Sequence, residues 1–252
     1  MPRFFVKNEQ VEKNTIRIIG EDIKHIKNVL RKQIGEHIEI CNQDNEKSYI
    51  CKIEEIEDTS ILTKIIEELQ SYENKIEVDI YQGLPKADKM ELIIQKSVEL
   101  GANAIIPVAM KRCVVKIDSK DESKKIARWQ KIAESAAKQS GRNTIPEIKN
   151  IVNIEKITKL IKEYDIVIVA YENEKNNTIK HELVSLKEHI KLSDKIKIAV
   201  IVGPEGGLEE KDVEILKQNG AKIVTLGNRI LRTETVALNV LSIIMYELEQ
   251  TV

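Results

Sequence analysis

The sequence predicts an α/β protein in two parts, a small β-rich N-terminal domain and a larger domain built on a mostly parallel sheet. Three observations predict it. Before residue 71, short β-branched or aromatic stretches crowd around a single amphipathic helix. From Ile76 onward, aliphatic runs alternate with segments of helical periodicity, the rhythm of a sheet covered on both faces. Late in the chain, two of those runs stop abruptly at glycine loops, Gly203-Pro204-Glu205-Gly206-Gly207 and Leu226-Gly227-Asn228-Arg229.

In the first part, residues 4–6 (FFV), 15–18 (TIRI), 37–41 (HIEIC), 49–56 (YICKIEEI) and 61–66 (ILTKII) read as strands. The helix spans Glu21 to Gln33, with Ile23, Ile26, Val29 and Leu30 on one face and Lys24, Lys27, Arg31 and Lys32 largely elsewhere. A small barrel carrying one basic helix suits RNA binding, although composition alone does not separate it from any other small β domain. The rhythm changes at Ser71–Lys75, which divides the chain into residues 1–72 and 73–252.

The second part opens with a strand at 76–82. A helix follows from Pro85 to Leu100, with Met90, Ile94 and Val98 inward and Gly101 as its stop. AIIPV (104–108) is the next strand, and a helix over 123–140 packs Trp129, Ile132, Ala133 and Ala136. The alternation continues with helix 154–163, strand 165–171, helix 178–189 and strand 196–202. It closes with helix 208–219, strand 222–226 and helix 235–249.

Composition narrows the class. At 42% hydrophobic and 32% charged, the chain is an ordinary soluble globular protein. No apolar run approaches membrane-spanning length and MPRFFVKNEQ is no signal peptide, so a cytoplasmic protein without a membrane partner is expected. Cys41, Cys51 and Cys113 contain no CxxC pair, and His25, His37, His181 and His189 show no ligand spacing, so no metal is expected. Cys41 and Cys51 could face each other in a hairpin, but reduced buried thiols are the simpler expectation. The formal charge of −1 hides a basic middle: residues 84–150 carry 14 Lys and Arg against 8 Asp and Glu, a net +6. That excess suits an anionic partner such as nucleic acid, or a solvated lysine-rich helix face.

The common α/β cofactor signatures are absent. No two glycines stand two apart, so there is no GxGxxG fingerprint, and neither a Gly-Lys-Ser/Thr P-loop nor a GxSxG elbow occurs. The remaining candidates are the two glycine loops. The first follows a buried strand and precedes a helix whose first turn is acidic, and its glycines let a ligand approach the backbone. The second, Leu226 to Leu241, sets Arg229, Arg232 and Glu234 beside a glycine turn. Either loop could instead be a plain connection, with Thr233 or Thr235 capping the last helix.

GPEGGL at 203–208 and LGNRILRTETVAL at 226–238 resemble the two cofactor-loop motifs of the SPOUT, trefoil-knotted RNA methyltransferases, in the wording of the 16S ribosomal RNA uridine-N3 methyltransferases. EDIKHIKNVLR (21–31), LPKADKMELIIQKSVELG (84–101) and RWQKIAESAAKQSGRNTIPEI (128–148) resemble further motifs of that family, in the expected order. Tyr171 to Lys197 is the least typical stretch. The resemblance implies a PUA-like β-barrel over 1–72. It also implies a SPOUT α/β-knot methyltransferase domain over 73–252, with a mostly parallel sheet and a deep C-terminal trefoil knot.

The resemblance further implies S-adenosyl-L-methionine as cofactor, 16S rRNA of the small ribosomal subunit as partner, and a homodimer. Backbone groups of Leu226, Gly227, Ile230 and Leu231 would receive the adenine. Gly203, Pro204, Gly206 and Gly207 would flank the methionine part, with Thr235 close by. Val236, Val240, Ile243, Ile244 and Leu248 on the last helix would form much of the dimer contact. Lys24, His25, Arg31, Lys32, Arg112 and Arg142 are candidate RNA contacts. Methylating N3 of a uracil removes an imide proton and builds charge on the ring, which suits the fixed guanidinium of Arg232. Glu205 or Glu234 is then the base, or only holds Arg232 in place. The alternatives are a non-catalytic RNA-binding assembly factor and a ribose 2′-hydroxyl methyltransferase.

Overall fold

The computed structural model describes residues 1–71, 73, 75–189 and 195–248. The chain divides into two compact units, one made of Met1–Glu73 with Ala137–Ile145 and the other of Asn74–Ala136 with Pro146–Val252. Positions 72 and 74 of the expected boundary, and the expected end of the last helix at 249, lie outside the described residues.

The first unit holds β1 (Arg3–Val6), β2 (Val11–Glu12), β3 (Thr15–Ile18), β4 (His37–Asn42), β5 (Lys47–Ile56) and β6 (Ile61–Leu69). They form one sheet in the order β1-β4-β5-β6-β3-β2, parallel only between β1 and β4. All five expected strands are present, and β2 is an addition two residues long. Register shifts at Ile50/Cys51 and Ile53/Glu55 mark irregularities in β5, the kind that bend a strand around a core. Phe4, Ile16, Ile38, Ile40, Ile53 and Ile61 fill that core and are buried to 1% exposure or less. Burial of each such side chain is worth about 2 kcal/mol. Cys41 stands opposite Ser48 and Cys51 opposite Ile38, so the two thiols do not face each other. Both are free and buried, and burial pushes each up to about 12.

The basic helix is shorter than its periodicity predicts. It begins as α1 (Glu21–Lys24) and widens into a π turn over His25–Val29, with the Leu30 N–H donating to the His25 carbonyl at 2.9 Å. The extra residue in that turn carries Val29 out to 69% exposure while Leu30 packs on the core. Arg31 then takes a left-handed conformation, φ 52°, which ends the helix before Gln33.

The second unit contains β7 (Ile76–Gly83), β8 (Ala104–Val108), β9 (Glu147–Ile148), β10 (Ile166–Ala170), β11 (Ile196–Val202) and β12 (Lys222–Val224). Its helices are α2 (Lys89–Glu99), α3 (Ser119–Ser140), α4 (Ile154–Leu160), α5 (Ile179–His189), α6 (Glu210–Gln218) and α7 (Thr233–Leu248), the last turn of α3 belonging to the first unit. The sheet is parallel throughout, in the order β12-β10-β11-β7-β8-β9. Burial of β10 and β11 on both faces explains their largely aliphatic character, while β7 is buried likewise but carries Asp79 and Gln82 inside. The first strand, β7, lies between β8, which follows it, and β11, which comes four strands later. The winding therefore reverses there.

The start of α2 moved for a local reason. α2 starts at Lys89 rather than Pro85, because Ala87 is left-handed and the Lys86 N–H is taken by Glu205 at 3.0 Å. α7 packs on α2, α5, β7 and β11 and buries Ala237, Val240, Leu241, Ile244, Met245 and Leu248 there. Val240, Ile244 and Leu248 are thus core residues of their own unit rather than dimer contacts.

Candidate active site

β10, β11 and β12 are neighbours in the sheet, so the loops leaving their carboxyl ends meet. Residues 170–172, 202–208 and 225–233, with Lys89, Lys175 and Val236, surround a cavity of about 480 Å³. This is the end of an open parallel sheet at which ligands bind, and the volume suits a small organic molecule. Gly203, Pro204, Glu205, Gly206, Gly207, Leu226, Gly227, Ile230, Leu231 and Arg232 all line it.

The glycines of the first loop answer to protein neighbours before any ligand. A Cβ on Gly203 would stand 3.0 Å from the Gly207 carbonyl carbon, and one on Gly206 would stand 3.1 Å from the Arg112 carbonyl oxygen. Gly207 is left-handed (φ 70°), and a Cβ there would collide with the Glu172 carboxylate. Gly227 differs: it is also left-handed (φ 107°), but nothing lies within 4 Å of where its Cβ would be. Its backbone faces open space.

Thr233 ties the loops to the sheet. Its side chain is buried, donates to the Gly203 carbonyl at 2.7 Å and accepts from Gln82 Nε2 at 2.8 Å. Thr235 is exposed and absent from the cavity lining, so the threonine at the site is Thr233.

The charged groups are arranged differently from expectation. Lys89 Nζ lies 3.2 Å from both Glu205 Oε1 and Glu234 Oε2, one carboxylate from each motif loop. Glu234 and then Glu205, each ion-paired with the ammonium, raise the Lys89 pKa. Burial alone would raise Glu205, but the N–H groups of Lys86 and Glu205 and the Lys89 ammonium outweigh it and hold the carboxyl below its usual range. Neither carboxylate holds Arg232. Among the described residues, Arg232 and Arg229 line the cavity with no ion-pair partner. An unpaired guanidinium on a cavity wall is a ready donor to an anionic or carbonyl-bearing ligand.

Comparison with known proteins agrees with this geometry. Residues 18–66 match an RNA methyltransferase PUA domain, and residues 72–245 match an RNA methyltransferase domain. The chain belongs to the RNA methyltransferase family. It is 38% identical to the ribosomal RNA small subunit methyltransferase E of Bacillus subtilis, over 99% of this chain and 98% of the relative. Identity to the enzyme of that name from Mesomycoplasma hyopneumoniae is 31%, over 96% and 98% of the two chains. The crystal structure of the Neisseria gonorrhoeae ribosomal RNA small subunit methyltransferase E, bound to S-adenosyl methionine, superposes with a TM-score of 0.81. Its identity is 30%, covering 98% of this chain and 97% of that one. The PUA-like sheet followed by a parallel α/β sheet is therefore the architecture of this methyltransferase family.

The candidate RNA contacts of this RNA methyltransferase separate into two groups. Lys24, His25 and Arg31 are exposed on the π-turn helix or just after it, His25 with its ring edge-on to Phe4 at 5.9 Å. Lys32 pairs with Glu36 at 2.7 Å, and Arg112 donates to the Gly206 carbonyl at 3.1 Å. Arg142 is mostly buried and forms a two-pronged pair with Glu73, at 2.8 to 3.0 Å. Its guanidinium is thus engaged within the first unit.

Sequence reading missed Lys89, Glu172 and Lys175. Lys89 sits in a quoted motif, and its spacing one turn past Lys86 was the available signal. Glu172 and Lys175 lie in the atypical stretch, where no motif pointed to them. Among the described residues there is no cluster of three or more potential metal ligands, and no helix is long and apolar enough to cross a membrane.

Proposed function

We propose that this chain transfers a methyl group from S-adenosyl-L-methionine to N3 of a uridine in 16S rRNA, acting on the small ribosomal subunit in the cytoplasm. The observation that carries the proposal is the unpaired Arg232 guanidinium in the cavity formed by the two motif loops. The full-length likeness to ribosomal RNA small subunit methyltransferases E, one of them bound to S-adenosyl methionine, supports it.

The cavity fits such a cofactor: it is of small-molecule size, and Gly227 presents backbone to open space. When bound, the cofactor supplies an electrophilic methyl on a sulfonium. Backbone groups of Leu226, Gly227, Ile230 and Leu231 would hold the adenine, and Gly203, Pro204, Gly206 and Gly207 would flank the amino-acid tail. Arg232 would donate to a uracil carbonyl as the N3 proton leaves, strengthening as charge grows on the ring. Glu205, paired to Lys89 and held below its usual range, suits a positioning role better than that of a base poised near neutrality, and Glu234 faces the same ammonium. N3 lies on the pairing edge, so the target uridine must be unpaired or flipped out. Lys24, His25 and Arg31 would contribute phosphate contacts.

A homodimer is part of the proposal. Val236 and Ile243 remain partly exposed on α7, Tyr246 is 86% exposed, and Leu92 on the adjoining α2 is 43% exposed. These are the side chains available to a second copy, and a monomeric sedimentation profile would remove this component.

The deciding experiment incubates the protein and labelled S-adenosylmethionine with small subunits lacking the modification, then maps the RNA by mass. One methyl on a uracil base, in a fragment that becomes resistant to pairing, is expected. Binding without transfer would favour the assembly-factor alternative, and label on a ribose would favour 2′-hydroxyl methylation.

A further inference from the structure

The cavity wall carries one carboxylate that no cation balances. Glu172, in the loop after β10, lines the cavity, and its side chain lies against the Gly207 backbone. The other lining carboxylate, Glu205, is ion-paired with Lys89. The cation nearest to Glu172 in sequence, Lys175, donates instead to the Glu172 backbone carbonyl at 2.9 Å. No ion pair involves the Glu172 carboxylate among the described residues. Gly207, left-handed and without a side chain, leaves the carboxylate oxygens room to sit beside the loop.

Glu172 is exposed at the mouth of the cavity, so its carboxylate stays charged without a partner and is available to a cationic group of a ligand. The arginines of the site, Arg229 and Arg232, belong to the other loop, so the two charge signs occupy different strand ends. We propose that Glu172 is the counter-ion for the primary ammonium of the cofactor's amino-acid tail, making it a binding and specificity-determining residue of this site. The inference rests on the proposed cofactor, and it extends the site into the stretch 171–175. A ligand with an adenosine but no ammonium would gain nothing from Glu172.

The test is calorimetry on the full chain, wild type and Glu172→Gln, with two probes. S-adenosylhomocysteine has the ammonium but no sulfonium, and 5′-methylthioadenosine has neither. Removing one charged hydrogen-bond partner should weaken S-adenosylhomocysteine by roughly 10- to 100-fold. Affinity for 5′-methylthioadenosine should stay within about twofold, and the thermal transition should be unchanged. Equal weakening of both probes would mean Glu172 only shapes the loop and would overturn the inference. So would unchanged affinity for both, or a loss seen with S-adenosylmethionine but not with S-adenosylhomocysteine, which would place the carboxylate at the sulfonium. If wild type binds S-adenosylhomocysteine and the variant is indifferent, the inference alone falls. If wild type binds neither probe, the cofactor assignment falls with it.

Discussion

Arg232 and Lys89 are both cations at one cavity, yet only Lys89 is paired, and that difference sets their roles. Lys89 already faces two carboxylates at 3.2 Å, whereas the Arg232 fork is free to meet a ligand. Arg232→Lys keeps the charge but loses the planar pair of donors. We expect the single-turnover methyl-transfer rate to fall roughly 10²- to 10³-fold, the scale of losing one oxyanion-type donor. Affinities for cofactor and RNA should change much less. Matched losses in rate and cofactor affinity would instead make Arg232 a cofactor contact. The arginine was legible in the sequence because two arginines beside a glycine turn exceed what a connection needs. Its lack of a partner was not, because Lys89 and the two carboxylates are 116 to 145 residues apart and only the fold brings them together.

At the scale of elements, the strand and helix pattern was legible almost throughout, because buried parallel strands must be apolar on both faces. The misjudged boundaries share a cause: a tertiary contact or a backbone twist that overrides periodicity. Pro85 to Asp88 is a turn because Glu205 captures the Lys86 N–H, and the basic helix stops at a π turn that periodicity cannot announce. The glycine loop was found for a partly different reason from the one that holds it, since its missing Cβ atoms make room for Arg112, Glu172 and the loop's own backbone. Lys89, at the start of α2, joins both motif loops. Lys89→Met should leave two carboxylates facing each other and loosen those loops. Hydrogen exchange at 203–208 and 228–234 should rise by about tenfold, while the β7 amides keep their protection. Unchanged exchange in both loops would show that the ammonium is not what holds them.

For the whole molecule, acid stability should be governed partly by the first unit. Burial would raise the Glu73 pKa, but the Arg142 guanidinium and the N–H groups of Asn143 and Thr144 win and hold it below 4.5. A carboxyl lowered in the folded state stabilises above its unfolded pKa and loses that contribution as pH falls through its folded value. Glu73→Gln should therefore cost about 3 kcal/mol at neutral pH, by removing the charge that faces a mostly buried guanidinium, with the deficit shrinking at acid pH as Glu73 itself is protonated. Urea unfolding at neutral and acid pH measures it, and a pH-independent deficit would mean lost packing rather than lost charge. The two-part organisation was legible as a change of rhythm near Ser71, but the membership of 137–145 was not, because no local pattern marks it. Those nine residues are held by Arg3 donating to the Arg142 carbonyl at 2.8 Å, by Lys138 against Asp22 at 3.0 Å, and by Glu73 itself. A gene truncated after Glu73 would therefore encode an incomplete β-rich unit, missing a segment translated more than sixty residues later. On the ribosome, this unit cannot finish folding when its last strand emerges. It must wait until the chain has come out past Ile145, so synthesis of the first unit ends inside the second.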